Sequence, residues 1–403
     1  MIIVKKFGGS SVGTPERIQA VAKHLIRSRR QGHKVVAVVS AMGDTTDHLM
    51  ELAHAVLTEG PDPRELDALL ATGELQACAL LAMAVKARHV KAVSFSGGQA
   101  GIRTDNVHTK ARIIEMKVGA VRRALKDRAI VIVAGFQGVN AKNEVTTLGR
   151  GGSDLTAVAL AAALKADLCE LYKDVDGIYT ANPRIVRAAK LLKEISYDEL
   201  IELSSLGAQV VHARAVTYAR QYHVPLYIRS SFHEGPGTWI VKEVNVRERP
   251  IITGVVSSTH EAKVTLLGIP DRPGIAAKIF KAIARQRINV DVIIQDVSED
   301  RMTNISFTVP TADLKRTLAA MNRLSKTLPI KGGIKSDRNI AKVSVVGSGM
   351  VHNPGVAGAM FEALAKEKVN IQMISTSEIK ITCIVSQKDV NRAIRALHRR
   401  FIG

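Results

Sequence analysis

Three stretches of the 403-residue chain carry side chains suited to handling anions. The first is Lys6-Phe7-Gly8-Gly9-Ser10-Ser11-Val12-Gly13. Glycines let successive backbone N–H groups curl round an oxyanion, and a lysine at a strand end supplies a point charge for phosphate. Neither G-x-x-x-x-G-K-[S/T] nor G-x-G-x-x-G occurs, so this is not a P-loop or a dinucleotide fingerprint. The second stretch is Thr146-Thr147-Leu148-Gly149-Arg150-Gly151-Gly152-Ser153-Asp154. Its guanidinium can grip a carboxylate with two parallel donors, and Ser153-Asp154 opens an alanine-rich helix whose start can hold an anion. Asp154 at such a start also has a purely structural role through the helix dipole. The third runs Tyr172-Lys173-Asp174-Val175-Asp176-Gly177-Ile178-Tyr179 and on to Asn182-Pro183-Arg184, a mixed pocket for a nucleotide or, equally, a solvated turn. Two further features join them. Ser40 to Thr46 follows a strand and puts hydroxyls at its carboxyl end, and Glu74, early in a helical segment, can pair an ammonium group.

No H-E-x-x-H, Cys/His cluster or G-x-S-x-G is present, which argues against a zinc site or an ordinary hydrolase. His24, His33 and His398 sit among charged helix positions and read as solvated; His212 reads as a packing residue. Cys78, Cys169 and Cys383 have no close partner and read as reduced core residues of a cytoplasmic protein.

The elements that must position these residues are set by hydrophobic periodicity. Ile2 to Lys5 is a short strand, Thr14-Pro15 a helix start, and Ile18, Val21, Ala22, Leu25 and Ile26 fall at helical spacing. The alternation continues with strands at 35–39, 90–95, 129–134, 168–173 and 224–229 and helices at 65–88, 109–126, 153–165 and 198–220. This is a parallel-sheet α/β domain of about 230 residues. Ser231 to residue 259, with Gly235-Pro236-Gly237, reads as linker and domain edge. Beyond it Val264 to Gly268, Pro273 to Ala276 and Ile288 to Val290 return as Val343 to Gly347, Pro354 to Ala357 and Val369 to Ile371. The repeat implies two βαββαβ modules, at 260–335 and 340–403.

The balance of 57 Lys and Arg against 37 Asp and Glu gives a formal charge of +20. Such a field attracts nucleotides and acidic metabolites as well as nucleic acid. With no flexible basic tail and no recognition motif, nucleic acid is not an expected partner. No signal-peptide pattern and no uninterrupted membrane-length apolar run is seen, so no membrane partner is expected either.

Taken together, Lys6 to Val12, Val39 to Thr46, Thr147 to Asp154 and Asp174 to Tyr179, with the two repeats behind them, resemble aspartokinase over nearly the whole chain. The resemblance implies a three-layer αβα amino-acid kinase domain (1–230) with a mostly parallel eight-stranded sheet. Behind it come a linker (231–259) and two ferredoxin-like ACT modules. It implies ATP-dependent phosphorylation of the L-aspartate side chain, the first step toward lysine, threonine and methionine, with Mg2+ carried on ATP and no protein metal ligand. By the same resemblance Lys6, Arg150 and Asp154 are the catalytic residues. Ser40, Thr46, Glu74, Phe136, Arg150 and Ser153 surround aspartate, while Lys6, Gly8, Gly9, Ser10, Tyr172, Lys173, Asp174, Asp176, Tyr179 and Arg184 serve the nucleotide. Lysine and/or threonine are the expected effectors. In the first module they would meet Asp271, Gly274, Ile275, Ala276, Asn289, Asp291 and Gln295. In the second the matching set is Asn353, Gly355, Val356, Asn370, Ile371, Thr376 and Glu378. A homodimer, or an assembly with separate ACT subunits, is implied. The chain departs from the family pattern at Asn182-Pro183-Arg184, usually Asp-Pro-Arg, and at His212-Ala213-Arg214, usually His-Pro-Arg. Rival readings are a kinase of glutamate, a basic regulatory protein and a catalytically weakened assembly subunit.

Overall fold

The computed structural model describes residues 1–57, 60–208, 210–244, 250–297 and 302–403. It divides into two compact units, the first formed by Met1–Tyr179, Leu191–Ser205 and Gln209–Val246.

The first unit begins with β1 (Ile2–Phe7), α1 (Pro15–Arg30) and β2 (Lys34–Val39), followed by α2 (Thr45–Val56) and α3 (Pro63–Lys86). Next come β3 (Ala92–Phe95), β4 (Ile102–Thr104), β5 (Ile113–Met116), α4 (Gly119–Lys126), β6 (Ile130–Ala134), β7 (Gln137–Val139) and β8 (Val145–Thr147). The unit closes with α5 (Gly152–Leu164), β9 (Leu168–Lys173), β10 (Glu194–Ser196), α6 (Tyr197–Ser205), α7 (Ala213–Gln221), β11 (Leu226–Ser230) and β12 (Thr238–Val241). Eight strands form one sheet in the order β10-β12-β11-β9-β1-β2-β6-β3. All neighbours are parallel except β11 and β12. The near-continuous apolar runs of β2 and β6 are buried on both faces, as a helix-covered parallel sheet requires.

α1 starts on Thr14, whose hydroxyl accepts the Arg17 N–H, and buries the predicted Ile18, Val21, Ala22, Leu25 and Ile26. α5 is buried almost all round, which its alanine content allows. α3 is long and apolar enough to cross a membrane by length and composition, yet it buries Leu70, Ala77, Cys78, Leu81 and Val85 within the unit.

Several expected elements differ. The segment 109–126 is not one helix: it divides into β5, which joins a small sheet ordered β5-β4-β7-β8, and the short α4. The helix expected over 198–220 is two, α6 and α7, and Gln209 between them lies outside the described residues. The stretch expected as linker supplies β12 to the large sheet, and 245–249 within it lie outside the described residues.

The second unit comprises Thr180–Lys190, Leu206–Ala208 and Arg247–Gly403. It contains β13 (Gly254–Ser258), β14 (Glu261–Pro270), α8 (Ile275–Ala284), β15 (Ile293–Val297), β16 (Met302–Pro310), α9 (Leu314–Leu324) and β17 (Gly333–Asp337). After these come β18 (Ile340–Val346), α10 (Val356–Lys366), β19 (Met373–Ser377), β20 (Lys380–Ser386) and α11 (Val390–Phe401). β14 to β17 with α8 and α9 make a complete βαββαβ module, its sheet ordered β15-β16-β14-β17. The second module runs only to α11, and its fourth strand is β13, from ahead of the first module, in the order β13-β18-β20-β19. The first module is thus inserted between β13 and the rest of the second. Ile252 and Val255 accordingly join the core of β18, β20, α10 and α11. His398, expected to be solvated, is buried in this unit and shares a hydrogen bond with Thr180 at 2.9 Å.

Candidate active site

Adjacent lysines on β1 face opposite sides of the sheet, because strand side chains alternate. Lys5 and Phe7 point toward α1 and Lys6 toward α5. Lys5 pairs with Glu170 beneath Tyr172, whose hydroxyl shares a 2.7 Å hydrogen bond with His24. Burial first, then the Lys5 ammonium, holds the His24 imidazole down to about 4, so it is a neutral member of this network, not the solvated group expected.

On the other face the Lys6 ammonium lies 2.8 Å from one oxygen of Asp154, and the Lys173 ammonium 2.7 Å from the other. Lys6 arrives at the carboxyl end of β1, Lys173 at that of β9, and Asp154 in the first turn of α5. Burial works against the Asp154 charge, but Lys173 and Lys6 together outweigh it and hold the carboxyl well below the usual range. Burial also lowers the Lys173 ammonium to about 8, with Asp154 working in the opposite direction.

Around this bridge three loops are drawn together by close glycine approaches. A side chain at Gly9 would strike the Ala41 carbonyl at 2.8 Å, and the Gly43 N–H donates to the Gly9 carbonyl at 3.1 Å. Gly8 lies beside the Lys6 ammonium. The Ser40–Thr46 loop therefore docks on the first glycine loop, and Thr46 sits in the opening turn of α2. From α3, Glu74 reaches under this loop and one of its oxygens accepts the Ala41 N–H at 3.1 Å. The other oxygen is buried and has no hydrogen-bond partner among the described residues. Burial raises the Glu74 carboxyl to about 7, against the Ala41 N–H and the Lys6 charge. A buried carboxylate with an empty acceptor position is one that a cation would complete.

Phe136 and Ser153 close the same cluster. A side chain at Gly135 would strike Ser153 at 2.7 Å, and one at Gly152 would strike the Phe136 ring at 2.9 Å. Phe136 holds a left-handed backbone (φ 69°), fixed by its N–H to the Thr156 hydroxyl at 3.1 Å and by the Leu148 N–H to its carbonyl at 2.8 Å. Strain of this kind collects where function fixes the geometry. Arg150 stands exposed beside this cluster, with no ion-pair partner among the described residues. His212 packs against Gly151 and caps α7, as its packing role anticipated.

Not every expected residue joins this cluster. The Tyr172 ring lies on the α1 side, stacked on Phe7 at 4.7 Å, so only its backbone faces the Lys6 loop. Period-two alternation requires this, since Tyr172 and Lys173 are neighbours on one strand. Ser10 is exposed and its carbonyl accepts from Arg17; Asp174 is exposed beside Lys173; Asp176 accepts the Tyr179 hydroxyl at 2.7 Å. Arg184 belongs to the second unit, where its N–H donates to Asn182.

Two residues tied to this region were not among the expected site residues: Asp67, and Arg214, which was noted only as part of the His212-Ala213-Arg214 motif. Asp67 is fully buried in α3, and Arg214 donates to the carbonyls of Leu148 at 3.0 Å and Ala111 at 2.9 Å. An acid inside the alanine- and leucine-rich α3 was the signal available for Asp67. A cleft lined by Lys86, His89, Lys91 and Asp127 lies at the other end of the strands, where basic side chains complement the carbonyl ends of α3 and α4.

In the second unit, Gly274 and Gly355 take left-handed conformations (φ 91° and 97°) and open α8 and α10. Asp271, Asn289, Gln295, Asn370, Thr376 and Glu378 are exposed; Ile275, Ala276 and Ile371 are half-buried; Val356 is buried in the module core; Asn353 donates to the Gly349 carbonyl. Asp291 is already engaged, since it pairs with the buried Lys342 of the other module, which also lies 3.0 Å from Glu261.

The amino acid kinase family model matches residues 1–230, and an ACT domain model matches 264–324 and 343–401. The chain is 49% identical over 402 residues to the aspartokinase of Pseudomonas aeruginosa, covering 99% of this chain and 97% of that protein. It is 48% identical over 409 residues to that of Corynebacterium glutamicum, covering 99% and 96%. Its fold matches E. coli aspartokinase III in complex with aspartate and ADP, with a TM-score of 0.85 at 26% identity over the whole of both chains. For the same enzyme in complex with lysine and aspartate the TM-score is 0.76, again at 26% identity over both whole chains. With the lysine-bridged aspartate, the unfilled glutamate and the paired modules behind them, these likenesses lead to one conclusion: the chain belongs to the aspartokinase family.

Proposed function

We propose that the Lys6–Asp154–Lys173 bridge carries phosphoryl transfer while Glu74 and Arg150 hold the acceptor. The reaction is the family's: the γ-phosphoryl of ATP passes to the side-chain carboxylate of L-aspartate, giving 4-phospho-L-aspartate and ADP. That carboxylate, with an ordinary pKa of about 3.9, is already ionised at neutral pH and needs no general base. One of its oxygens attacks the γ-phosphorus, the bond to the β–γ bridging oxygen breaks, and the electron pair leaves on ADP. The obstacle is repulsion between two anions, so the enzyme's task is positioning and charge neutralisation.

The observation that carries this reading is one buried carboxylate shared by two ammonium groups. One negative charge against two positive leaves the bridge with an excess cation for the transferring phosphoryl group. Asp154 acts as the fixed anion that keeps both lysines together and charged. Backbone N–H groups of Gly8 and Gly9 wrap the phosphates. Glu74 offers its empty oxygen to the substrate ammonium, Arg150 takes the α-carboxylate, and Ser40, Thr46, Phe136 and Ser153 bound the space between. Mg2+ is read as entering with ATP as part of the substrate, where it would supply further neutralisation of phosphate charge.

Trapping the acyl phosphate as its hydroxamate tests these roles. Lys6→Ala is expected to lower kcat on the order of a hundredfold or more with little change in the KM for aspartate. Arg150→Ala is expected to raise that KM by well over tenfold. An unchanged rate in Lys6→Ala would remove the phosphate role.

The repeated modules support feedback by L-lysine and/or L-threonine, in keeping with the lysine held by the E. coli enzyme. Backbone N–H groups after Gly274 and Gly355 suit the effector carboxylate, and Asp271 or Glu378 its ammonium. An ammonium at Asp291 would have to displace Lys342. Rates measured with both amino acids, singly and together, should fall; rates unchanged by either or both would refute inhibition. Edge strands β15 and β19 suit pairing with a second copy or a separate ACT subunit.

A further inference from the structure

α3 carries two buried acids seven residues apart, Asp67 and Glu74. Seven residues are nearly two turns, so both lie on one face with an axial separation of about 10 Å. Glu74 ends beneath the Ala41 loop with its empty oxygen. Asp67 meets the other side of the site. One of its oxygens accepts the Thr147 hydroxyl at 2.5 Å, both accept the Thr109 N–H at 3.0 and 3.1 Å, and His108 Nδ1 lies 2.9 Å away.

Both threonines are tied to the loop that carries Arg150. Thr147 is the last residue of β8, three before Arg150. Thr109 holds a left-handed backbone (φ 66°), which a β-branched residue adopts only under constraint, and its carbonyl sits 3.1 Å from where a Gly149 side chain would begin. The Ala111 N–H donates to the Thr147 carbonyl at 2.9 Å, tying the two segments to each other. A second stitch, from the Gln137 amide to the Ala71 carbonyl at 2.8 Å, fixes the same small sheet to α3. On the Glu74 side, a Cβ at Gly73 would lie 2.9 Å from that of Ala41, so the helix cannot slide there either.

We infer that Asp67 is a positioning residue that fixes the Arg150 loop against the helix bearing Glu74, and so sets the spacing between the carboxylate-gripping and ammonium-pairing ends of the acceptor site. This rests on the assignment of Arg150 and Glu74 to aspartate. The two groups they hold are both borne on the substrate's α-carbon, so this spacing sets how well the amino-acid head group is held.

Thr147→Val removes the hydroxyl while keeping the side-chain volume, and Asp67→Asn keeps the shape while weakening the acceptor. Each should raise the KM for L-aspartate by about tenfold, the loss expected from one hydrogen bond to a buried charged group, with kcat and the KM for ATP within about twofold of wild type. The double variant should be no worse than the poorer single, and Thr147→Ser should restore wild-type affinity. Equal losses in kcat and in both KM values, or a Thr147→Ser enzyme as impaired as Thr147→Val, would overturn the proposal and leave a merely structural contact. If Asp67→Asn does not fold, the Val and Ser pair at 147 decides alone. Arg150→Ala separates the two levels. If it leaves the aspartate KM unchanged, the site reading fails. If it raises that KM while the Thr147 variants do not, only the positioning role fails.

Discussion

The two units each hold a cluster of three charges, buried in the first and open to solvent at Asp291 in the second, and the clusters are mirror images in sign. In the first, one carboxylate (Asp154) is shared by two lysines; in the second, one lysine (Lys342) is shared by two carboxylates (Glu261 and Asp291). The first leaves an excess positive charge at the carboxyl ends of parallel strands, where open α/β sheets take their ligands. The second has its charges supplied from both modules and lies beside an apolar patch of Val292, Ile340, Met373 and Ile384. It ties the modules together. A lysine–carboxylate triad is thus not in itself a sign of catalysis; its burial, the sign of its surplus charge and the end of the sheet it occupies make the distinction.

The same substitution at both clusters should break them in different ways. Lys173→Met is expected to lower kcat on the order of a hundredfold, because in the proposed role the lost cation would face the transferring phosphoryl. Lys342→Met should leave kcat without effectors close to wild type. It should cost about 1 kcal/mol of stability, read by denaturant unfolding, since it strands the partly buried Glu261 carboxylate while water takes over at the exposed Asp291. A rate loss at Lys342 equal to that at Lys173 would erase the distinction.

A smaller effect sharpens the first cluster. Burial raises Glu74 to about 7, and in the proposed role it must be ionised to pair an ammonium, so bound aspartate would hold it lower. The affinity is therefore fully present above pH 7 and is lost as pH falls through 7. The aspartate KM should be flat above about pH 8 and rise by up to tenfold per unit below 7. Glu74→Gln should flatten this profile; a profile unchanged in Glu74→Gln would show that another group titrates.

Much of this was legible in the residues. The glycine loops, Lys6, Asp154 and α3 were readable because each depends on local spacing: glycines where backbones must touch, an acid at a helix start, apolar residues at helical period. Glu74, expected early in a helix, instead sits midway along α3. The repeat disclosed the paired modules. What stayed hidden depends on distant partners. β5 reads as helix because Ile113, Ile114 and Met116 become a strand only by pairing with β4. β13 reads as linker because its partner, β18, lies some eighty residues later. His24 and His398 look solvated in a charged helix until Tyr172 and Thr180 are brought against them. Asp67 looks like an ordinary helical acid until Thr109 and Thr147 close over it. Tyr172 is a different case, since strand alternation alone separates its ring from Lys173.

The most direct measurement is a crystal structure of the enzyme with L-aspartate and a non-hydrolysable ATP analogue bound together. The terminal phosphate should lie between the Lys6 and Lys173 ammonium groups, and the substrate ammonium within hydrogen-bond distance of the Glu74 oxygen that has no partner among the described residues. Its side-chain carboxylate should point in line at the phosphorus. A phosphate chain lying away from both lysines, or an aspartate whose ammonium ignores Glu74, would contradict the proposed roles.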